Sequence, residues 1–153
     1  MDTDRILNPD NPYLQRTMDK INSYQEGLWN NLEQVPLLEP YIGQRILSGF
    51  LEQACQSQNM GNIEIGRYGI FILPRQWVLK YIEKLAEPIL HSEDSWEYRR
   101  LIEIYWYLDK ELVQKLAKRG VKSQNLDIRE TGKECLEKLA NPETNQIVNY
   151  WDI

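Results

Sequence analysis

Hydrophobic residues recur every three or four positions through most of this chain. Between residues 12 and 32 the apolar positions are Leu14, Met18, Ile21, Leu28 and Leu32. This spacing predicts an amphipathic helix of about twenty residues, with Asn11 as its N-cap and Pro12 in its first turn. Gly27 is expected to weaken the helix without breaking it. A second helix is expected between residues 40 and 56.

Residues 60–73 have a different pattern, in which apolar residues alternate on both sides of Gly66-Arg67. The alternating positions are Ile63, Ile65, Tyr68, Ile70 and Ile72. Glycine at the first position of a two-residue loop suits a type II′ turn. The segment is therefore expected to be an insertion of non-helical structure, either a short β-hairpin or an irregular, extended connector.

From residue 74 to residue 140 the helical spacing returns and runs through four predicted helices. Their expected caps are Asp94 or Ser95, Asp109, and Asn125 or Asp127 at the N-termini, and Gly120 in a left-handed conformation at one C-terminus. The pattern repeats after about thirty residues. Lys84-Leu85-Ala86 matches Lys115-Leu116-Ala117, and Glu97-Tyr98-Arg99 matches Asp127-Ile128-Arg129. Such a repeat is typical of stacked helical hairpins, which bind proteins more often than they carry active sites.

The second copy of the repeat carries three short motifs: Leu112-Val113-Gln114-Lys115-Leu116, Asp127-Ile128-Arg129-Glu130, and Cys135-Leu136 with Leu139. With these motifs, residues 77–140 resemble two degenerate HEAT-type helical repeats. The resemblance implies stacked antiparallel helical hairpins of the α-α superhelix type, in which Asp127 and Arg129 tie one turn to the next. The expected fold is therefore all-α, interrupted only near residues 60–73.

The length of 153 residues predicts a single helical domain. Residues 1–10 are polar and are expected to form a loose N-terminal arm. N-terminal helices are expected over 11–56, and repeat-like helices over 74–140. Residues 141–153 contain several apolar residues near their end, which predicts a tail docked on the body of the protein.

The chain has a net charge of −5 and a pI near 5.0. A dedicated nucleic-acid binder needs clustered Lys and Arg to displace counterions from phosphate, so this balance argues against nucleic acid and favours a basic protein partner. Neither a secretory leader nor a membrane-length apolar run is evident, which predicts a cytoplasmic protein without membrane association. Cys55 and Cys135 have apolar neighbours and no metal-like spacing, which predicts buried free thiols.

Residues that commonly carry catalysis are few. His91 is the only histidine and lies in a predicted turn, and it cannot complete a zinc site with two distant cysteines. No phosphate-binding loop, dinucleotide fingerprint or nucleophile elbow occurs in the sequence. Glu93, Asp94 and Glu97 surround one helix start, where acids cap free N–H groups and oppose the helix dipole. We therefore expect no catalytic residue, no cofactor and no metal ion.

One polar stripe on the helix between residues 96 and 108 has the composition of a binding surface. It consists of Trp96, Arg99, Arg100, Glu103 and Tyr107. Large aromatic residues that frame an arginine are enriched in interaction hot spots, so these five residues are the predicted partner-binding site. The alternative is that a neighbouring helix or the Tyr150-Trp151 tail covers the stripe and makes it an internal seam.

These observations predict a non-enzymatic protein–protein interaction module, such as a small acidic adaptor or a stoichiometric inhibitor of the immunity-protein type. The competing hypothesis is a small enzyme or small-molecule-binding protein with a pocket of carboxylate, Arg and Tyr side chains near residues 60–73. A flat exposed surface at Trp96 and Arg100 favours the first hypothesis. A deep cleft with converging Glu and Arg side chains favours the second.

Removal of divalent metal ions tests the expected absence of metal chemistry. With one histidine and two distant cysteines, only carboxylates are left as ligands, and these favour weak binding of Ca²⁺ or Mg²⁺. EDTA is therefore expected to leave the melting temperature unchanged in a thermal unfolding experiment. A drop of several degrees would reveal a structural ion and contradict the expectation.

Overall fold

The computed structural model describes residues 2–147 and Tyr150. Within these residues the protein consists of helices and connecting turns and contains no strand, which confirms the all-α prediction. In chain order the elements are α1 (Thr3–Ile6), α2 (Pro12–Tyr24), a 3₁₀ segment (Leu28–Leu37), α3 (Pro40–Ala54), α4 (Met60–Ile72), α5 (Arg75–Leu90), α6 (Ser95–Leu108), α7 (Lys110–Gly120) and α8 (Leu126–Ala140). No helix in this part of the chain is both long and apolar enough to cross a lipid bilayer.

The chain divides into two compact units, Asp2–Ala86 and a unit that begins at Glu87, with the boundary inside α5. The single helical domain inferred from chain length stays a prediction. Cys55 of the first unit and Cys135 of the second are buried free thiols, as the sequence predicts.

The first unit is built around α3 and α4, which pack against each other. Their fully buried large side chains include Leu47, Phe50, Leu51, Ile63, Ile65 and Ile70. The two backbones approach closely at Gly66. A Cβ atom at this position would lie 2.6 Å from the carbonyl oxygen of Phe50 and 2.5 Å from the amide nitrogen of Ala54. Only glycine fits this contact without moving one of the helices.

The expected β-hairpin or irregular connector at residues 60–73 is wrong, because Met60–Ile72 forms helix α4. Ile63, Gly66 and Ile70 are buried at spacings of three and four residues, which is the helical period. The isoleucine positions are compatible with the two-residue period of a strand and with the helical period. Gly66 favours the helix, because its lack of a side chain lets α4 pack directly on α3. Glycine here serves the close packing of two helices and not a turn.

The amphipathic helix that begins at Pro12 is shorter than predicted. Asn11 caps it as expected, since its side-chain oxygen accepts a hydrogen bond from the Tyr13 N–H at 3.0 Å. The helix ends at Tyr24, and Gly27 adopts a left-handed conformation with φ of 73° before the 3₁₀ segment. The expectation that the helix continues through Gly27 is therefore wrong, because the backbone is already extended at Gln25 and Gly27 then adopts a left-handed conformation.

Helix α1 occupies the stretch in which the sequence predicted a loose arm. The side chain of Asp2 caps it by accepting a hydrogen bond from the Arg5 N–H at 3.1 Å. Ile6 is fully buried, and Arg5 forms an ion pair with Glu64 of α4. Residues 3–6 are thus held by a cap, an apolar contact and a charged contact.

In the second unit, α7 packs against both α6 and α8, and α6 also contacts α8. The side chains of Asp94, Asp109 and Asn125 accept backbone N–H bonds at the three helix starts, which confirms these predicted caps. The predicted left-handed conformation of Gly120 is wrong, since this residue ends α7 without a positive φ. A Cβ atom there would lie 2.2 Å from the Tyr98 hydroxyl, so packing requires its small size.

Three side-chain contacts in the second unit join residues that are 32 positions apart. They run from Arg119 Nη1 to Glu87 Oε1 at 2.7 Å, from Asn125 Nδ2 to the Glu93 carbonyl oxygen at 3.1 Å, and from Arg99 Nη2 to Thr131 Oγ1 at 3.3 Å. Residues 87–99, from the end of α5 into α6, therefore lie beside residues 119–131, from the end of α7 into α8, in a constant register.

Replacement of Gly66 tests the contact between α3 and α4. Gly66→Ala is expected to lower the free energy of unfolding by about 2 kcal/mol or more, because the new methyl group meets backbone atoms that cannot move aside. Gly61→Ala in the same helix is the matched control. Its Cβ atom would meet only the Asn11 side chain at 3.4 Å, and alanine favours a helix. Urea denaturation of both variants checks the difference, and equal midpoints would contradict it.

Candidate functional site

The predicted binding stripe lies on α6 and has an exposed part and a covered part. Trp96 is 54% exposed, and Arg99 is exposed as well. The Arg100 side chain keeps only 18% of its accessible surface, whereas that of Glu103 keeps 40%. Tyr107 is half-buried. Trp96 and Arg99 are therefore exposed, whereas Arg100, Glu103 and Tyr107 are partly covered.

Trp96 and Arg99 form the exposed part. The Asp94 carboxylate accepts hydrogen bonds from the N–H groups of Trp96 and Glu97, at 2.8 and 2.9 Å, and so fixes the start of the helix. The Arg99 guanidinium carbon lies 5.9 Å from the centre of the Trp96 ring, within the range of a cation–π contact. The same guanidinium donates to the buried Thr131 on α8. Arg99 thus links an exposed aromatic ring to the neighbouring helix.

Arg100, Glu103 and Tyr107 form the covered part. Arg100 Nη1 lies 3.6 Å from Glu103 Oε2, whereas Arg99 turns toward α8. The ring of Tyr150 meets that of Tyr107 edge-on, with 5.1 Å between ring centres, and Tyr150 itself is buried. This contact brings one residue of the predicted docking tail to the stripe. Residues 148–149 and 151–153 of that tail lie outside the described residues.

Leu126 is a second exposed apolar residue of the second unit, and the sequence-predicted stripe does not include it. It is 64% exposed at the start of α8. The hydrogen bond from Asn125 to the Glu93 carbonyl brings the starts of α6 and α8 together. The matching of Glu97 with Asp127 already aligns Trp96 with Leu126. The repeat was therefore the signal that could have identified this position.

The hydrogen bond between these two turns also bears on the implied roles of Asp127 and Arg129. The HEAT-type resemblance gives these residues the task of tying one turn to the next. In this structure Asn125 makes such a tie, and the Asp127 N–H donates to the Asn125 side chain at 3.0 Å.

A cleft of about 620 Å³ lies beside the same turns in the second unit. Four of its lining side chains are cationic, namely Lys115, Lys118, Arg119 and Lys122, and two are acidic, namely Glu93 and Asp94. Arg119 is paired with Glu87. Lys118 and Arg119 lie in the last turn of α7, where cations interact favourably with the helix dipole. Stabilisation of the end of α7 is therefore a sufficient reason for Lys118 and Arg119 to be there, and no anionic ligand is needed to explain them.

Tyr98 lines this cleft and is almost fully buried. Its hydroxyl donates to the carbonyl oxygen of Leu116 at 2.9 Å. Burial raises the pKa of Tyr98 well above its ordinary value of 10.0. At neutral pH the side chain is therefore a neutral phenol with a structural hydrogen bond, and it cannot act as a base.

A cavity of about 330 Å³ in the first unit has the residue types of the competing enzyme or small-molecule hypothesis. It lies between α2 and α3 near the start of α4, and Tyr13, Arg16 and Glu52 are among its lining residues. Of residues 60–73, only Asn62 lines it. The competing hypothesis placed its pocket near residues 60–73, whereas this cavity lies mainly between α2 and α3, because α4 packs its other buried residues against the core.

Metal-binding residues do not gather in the described part of the chain, where no three His, Cys, Asp or Glu side chains form a group that could hold an ion. His91 lies in a turn, with its Nε2 atom 3.5 Å from a carboxylate oxygen of Glu87.

Comparison of the chain with protein-family models, with curated proteins and with solved structures finds no match. The geometry of the chain itself is therefore the basis for any functional proposal.

The raised pKa of Tyr98 predicts a loss of stability in alkali. Unfolding exposes the phenol and returns its pKa to about 10. Its contribution is thus fully present below pH 10 and declines as the pH rises toward the folded-state pKa, by on the order of 1 kcal/mol per pH unit. Tyr98→Phe is expected to be less stable at pH 7, through loss of the hydrogen bond to Leu116, but to decline less steeply above pH 10. Parallel pH profiles of the two proteins would contradict this.

Proposed function

We propose that the second unit is a non-enzymatic protein-binding module. Its partner surface consists of Trp96, Arg99 and Leu126, called here the helix-start surface. The observation that carries the proposal is the exposed indole of Trp96, which Arg99 contacts from one side. Tryptophan and arginine are the residues most enriched among those that dominate binding energy at protein interfaces.

The helix-start surface has one exposed apolar side chain at each of two helix starts. Trp96 is 54% exposed and Leu126 is 64% exposed, at the starts of two helices whose turns are hydrogen-bonded to each other. Isolated exposed apolar residues are common on protein surfaces, whereas grouped ones accompany interaction sites. Burial of both side chains by a partner removes apolar area from water, which is favourable by about 25 cal/mol per Å².

Carboxylates at the two helix starts themselves support a basic partner, whereas the four cations noted above line the adjoining cleft. Glu93, Asp94 and Asp127 are exposed at the same two helix starts. Arg99 is the cation of the helix-start surface, and its guanidinium is already engaged by Thr131 and the Trp96 ring. A partner with Lys or Arg around an apolar contact point complements these carboxylates and gains association rate from them. An acidic adaptor or a stoichiometric inhibitor of the immunity-protein type fits this description.

The HEAT-type arrangement is part of the same proposal. Its support is that three contacts join residues at one separation of 32 positions, which is one or two more than the 31 and 30 positions between the matched sequence motifs. Stacked repeats likewise bring each unit into contact with the next. The packing of α6 with both α7 and α8 is compatible with one hairpin stacked on the next. Proteins of this kind use aligned turns and helix ends as binding surfaces.

Two alanine variants test the helix-start surface. Trp96→Ala and Leu126→Ala are each expected to weaken capture of the natural partner, and Trp96→Ala by about 30-fold or more, as for loss of ~2 kcal/mol at a hot spot. Stability should change little, because both side chains are largely exposed. The measurements are affinity capture from native lysate with quantitative mass spectrometry, and the melting temperature of each variant.

Leu37→Ala is the matched control for Leu126→Ala, since Leu37 is 84% exposed in the first unit. It should capture the same protein as the unmodified chain.

Arg100→Ala is expected to lower the melting temperature more than Arg99→Ala does, because the Arg100 side chain is mostly buried beside Glu103. Capture of one protein by all variants alike would contradict the proposed surface.

A further inference from the structure

The cavity of about 330 Å³ in the first unit has the size and the lining of a small-molecule site. Ligand pockets in proteins span roughly 300 to 1,000 Å³, so this cavity suits a compact ligand. Its walls are α2 and α3, with Asn59 and Asn62 from the start of α4. It belongs to the first unit alone, and the inference below does not depend on the protein-binding surface of the second unit.

A hydrogen-bonded network of side chains lies along one side of the cavity. Gln53 Nε2 donates to Thr17 Oγ1 at 2.9 Å and to Asn62 Oδ1 at 2.8 Å. Asn62 Nδ2 in turn donates to Gln56 Oε1 at 2.9 Å. Thr17 and Asn62 are only 5% and 8% exposed, so the network is fixed by burial. Buried polar side chains arranged in this way specify the orientation of every amide.

The network leaves both kinds of hydrogen-bonding group for a ligand. Gln53 uses both N–H bonds of its amide within the network, which leaves its carbonyl oxygen as an acceptor. Gln56 uses its carbonyl oxygen as an acceptor, which leaves its amide N–H bonds as donors. A hydroxyl group both donates and accepts, so hydroxyl groups match this pair of amides.

Positive charge dominates the rest of the lining. The lining contains three cationic side chains, Arg16, Lys20 and Arg45, and one carboxylate, that of Glu52. None of these cations lies in the last turn of α2 or α3, so the helix dipole does not account for them as it does for those at the end of α7. Their concentration in a chain of net charge −5 points to an anion.

Two of the cations have defined positions. Lys20 Nζ lies 3.8 Å from the place that a Cβ atom at Gly49 would occupy, so the ammonium group lies above a stretch of α3 without a side chain. Arg45 Nη1 donates to the Tyr41 hydroxyl at 3.0 Å, and its guanidinium carbon lies 5.6 Å from the centre of that ring. A side chain at position 49 would therefore enter the cavity beside a cation.

We propose that this cavity binds a small hydroxylated phosphate monoester of the sugar-phosphate class. The phosphate carries a charge of about −1.5 to −2 at neutral pH and presents three acceptor oxygens. A phosphate group on the ligand therefore matches three cations better than a carboxylate group would. Its hydroxyl groups contact the amides of Gln53 and Gln56. Tyr13 and Tyr24 supply walls for the carbon skeleton.

Isothermal titration calorimetry on the full chain tests the ligand class. The probes are glucose 6-phosphate, ribose 5-phosphate, inorganic phosphate and glucose. At least one sugar phosphate is expected to bind about tenfold more tightly than inorganic phosphate, and glucose is expected not to bind. The proposal is overturned if neither sugar phosphate binds at millimolar concentration. It is also overturned if inorganic phosphate binds as tightly as both, because the amide network then contributes nothing.

Paired variants test the site. Lys20→Gln is expected to weaken binding about tenfold through loss of a charge-assisted hydrogen bond. Lys84→Gln removes an exposed lysine of the same unit that does not line the cavity, and it should bind as the unmodified chain does. Gly49→Leu is expected to abolish binding, because the new side chain enters the cavity and displaces Lys20. Equal affinity of the two lysine variants, or full affinity of a folded Gly49→Leu protein, would overturn the proposal.

A further pair decides the matter if Gly49→Leu does not fold. Gln56→Glu keeps an acceptor for Asn62 but places a negative charge beside the ligand, so binding should be lost while the melting temperature is kept. Gln76→Glu adds the same charge at an exposed position on α5 and should bind normally. Equal binding by these two variants would contradict the inference.

Discussion

The close approach of α3 and α4 at Gly66 is the contact on which the first unit depends. Without a side chain at this position, the backbone of α4 reaches Phe50 and Ala54 directly, and the Cβ atom of Gln53 lies 2.8 Å from the place that a Cβ would occupy. Asn62 lies one helical turn earlier on the same side of α4, and it accepts a hydrogen bond from Gln53. The packing of two helices thereby determines the polar network of the cavity.

In the second unit, polar contacts between turns and helices fix where the helices begin and how the turns lie beside each other. Asp94, Asp109 and Asn125 set where its three helices begin, and Asn125 also bonds to the preceding turn through the Glu93 carbonyl. Arg99 reaches Thr131 six residues further along each segment. These contacts fix the position of the helix ends that carry Trp96 and Leu126. A binding surface on such ends has a rigid support, although its own residues are exposed.

Structural features set by residues close in sequence, such as helix caps, were predictable, whereas contacts between residues far apart in sequence were not. The cap at Asn11 and those at the starts of α6, α7 and α8 involve side chains and N–H groups two or three residues apart, so the sequence shows both partners together. The role of Gly66 depends on Phe50 in another helix, and the same glycine is also compatible with a hairpin turn. Periodicity likewise placed Trp96 and Tyr107 on one stripe, but it could not show that Tyr150 covers the second of them. Residues of the first-unit cavity come from three helices, and no single segment of sequence carries its pattern.

The constant separation of 32 residues has a consequence for how this chain can change in length. Glu87, Glu93 and Arg99 follow one another at intervals of six residues, and so do Arg119, Asn125 and Thr131. An insertion or deletion within either trio shifts some of its members against their counterparts and breaks at least one of the contacts. A length change between Arg99 and Arg119 leaves both trios internally intact. Natural variation in chain length in this unit should therefore fall outside the two trios, or occur in both of them at matching positions.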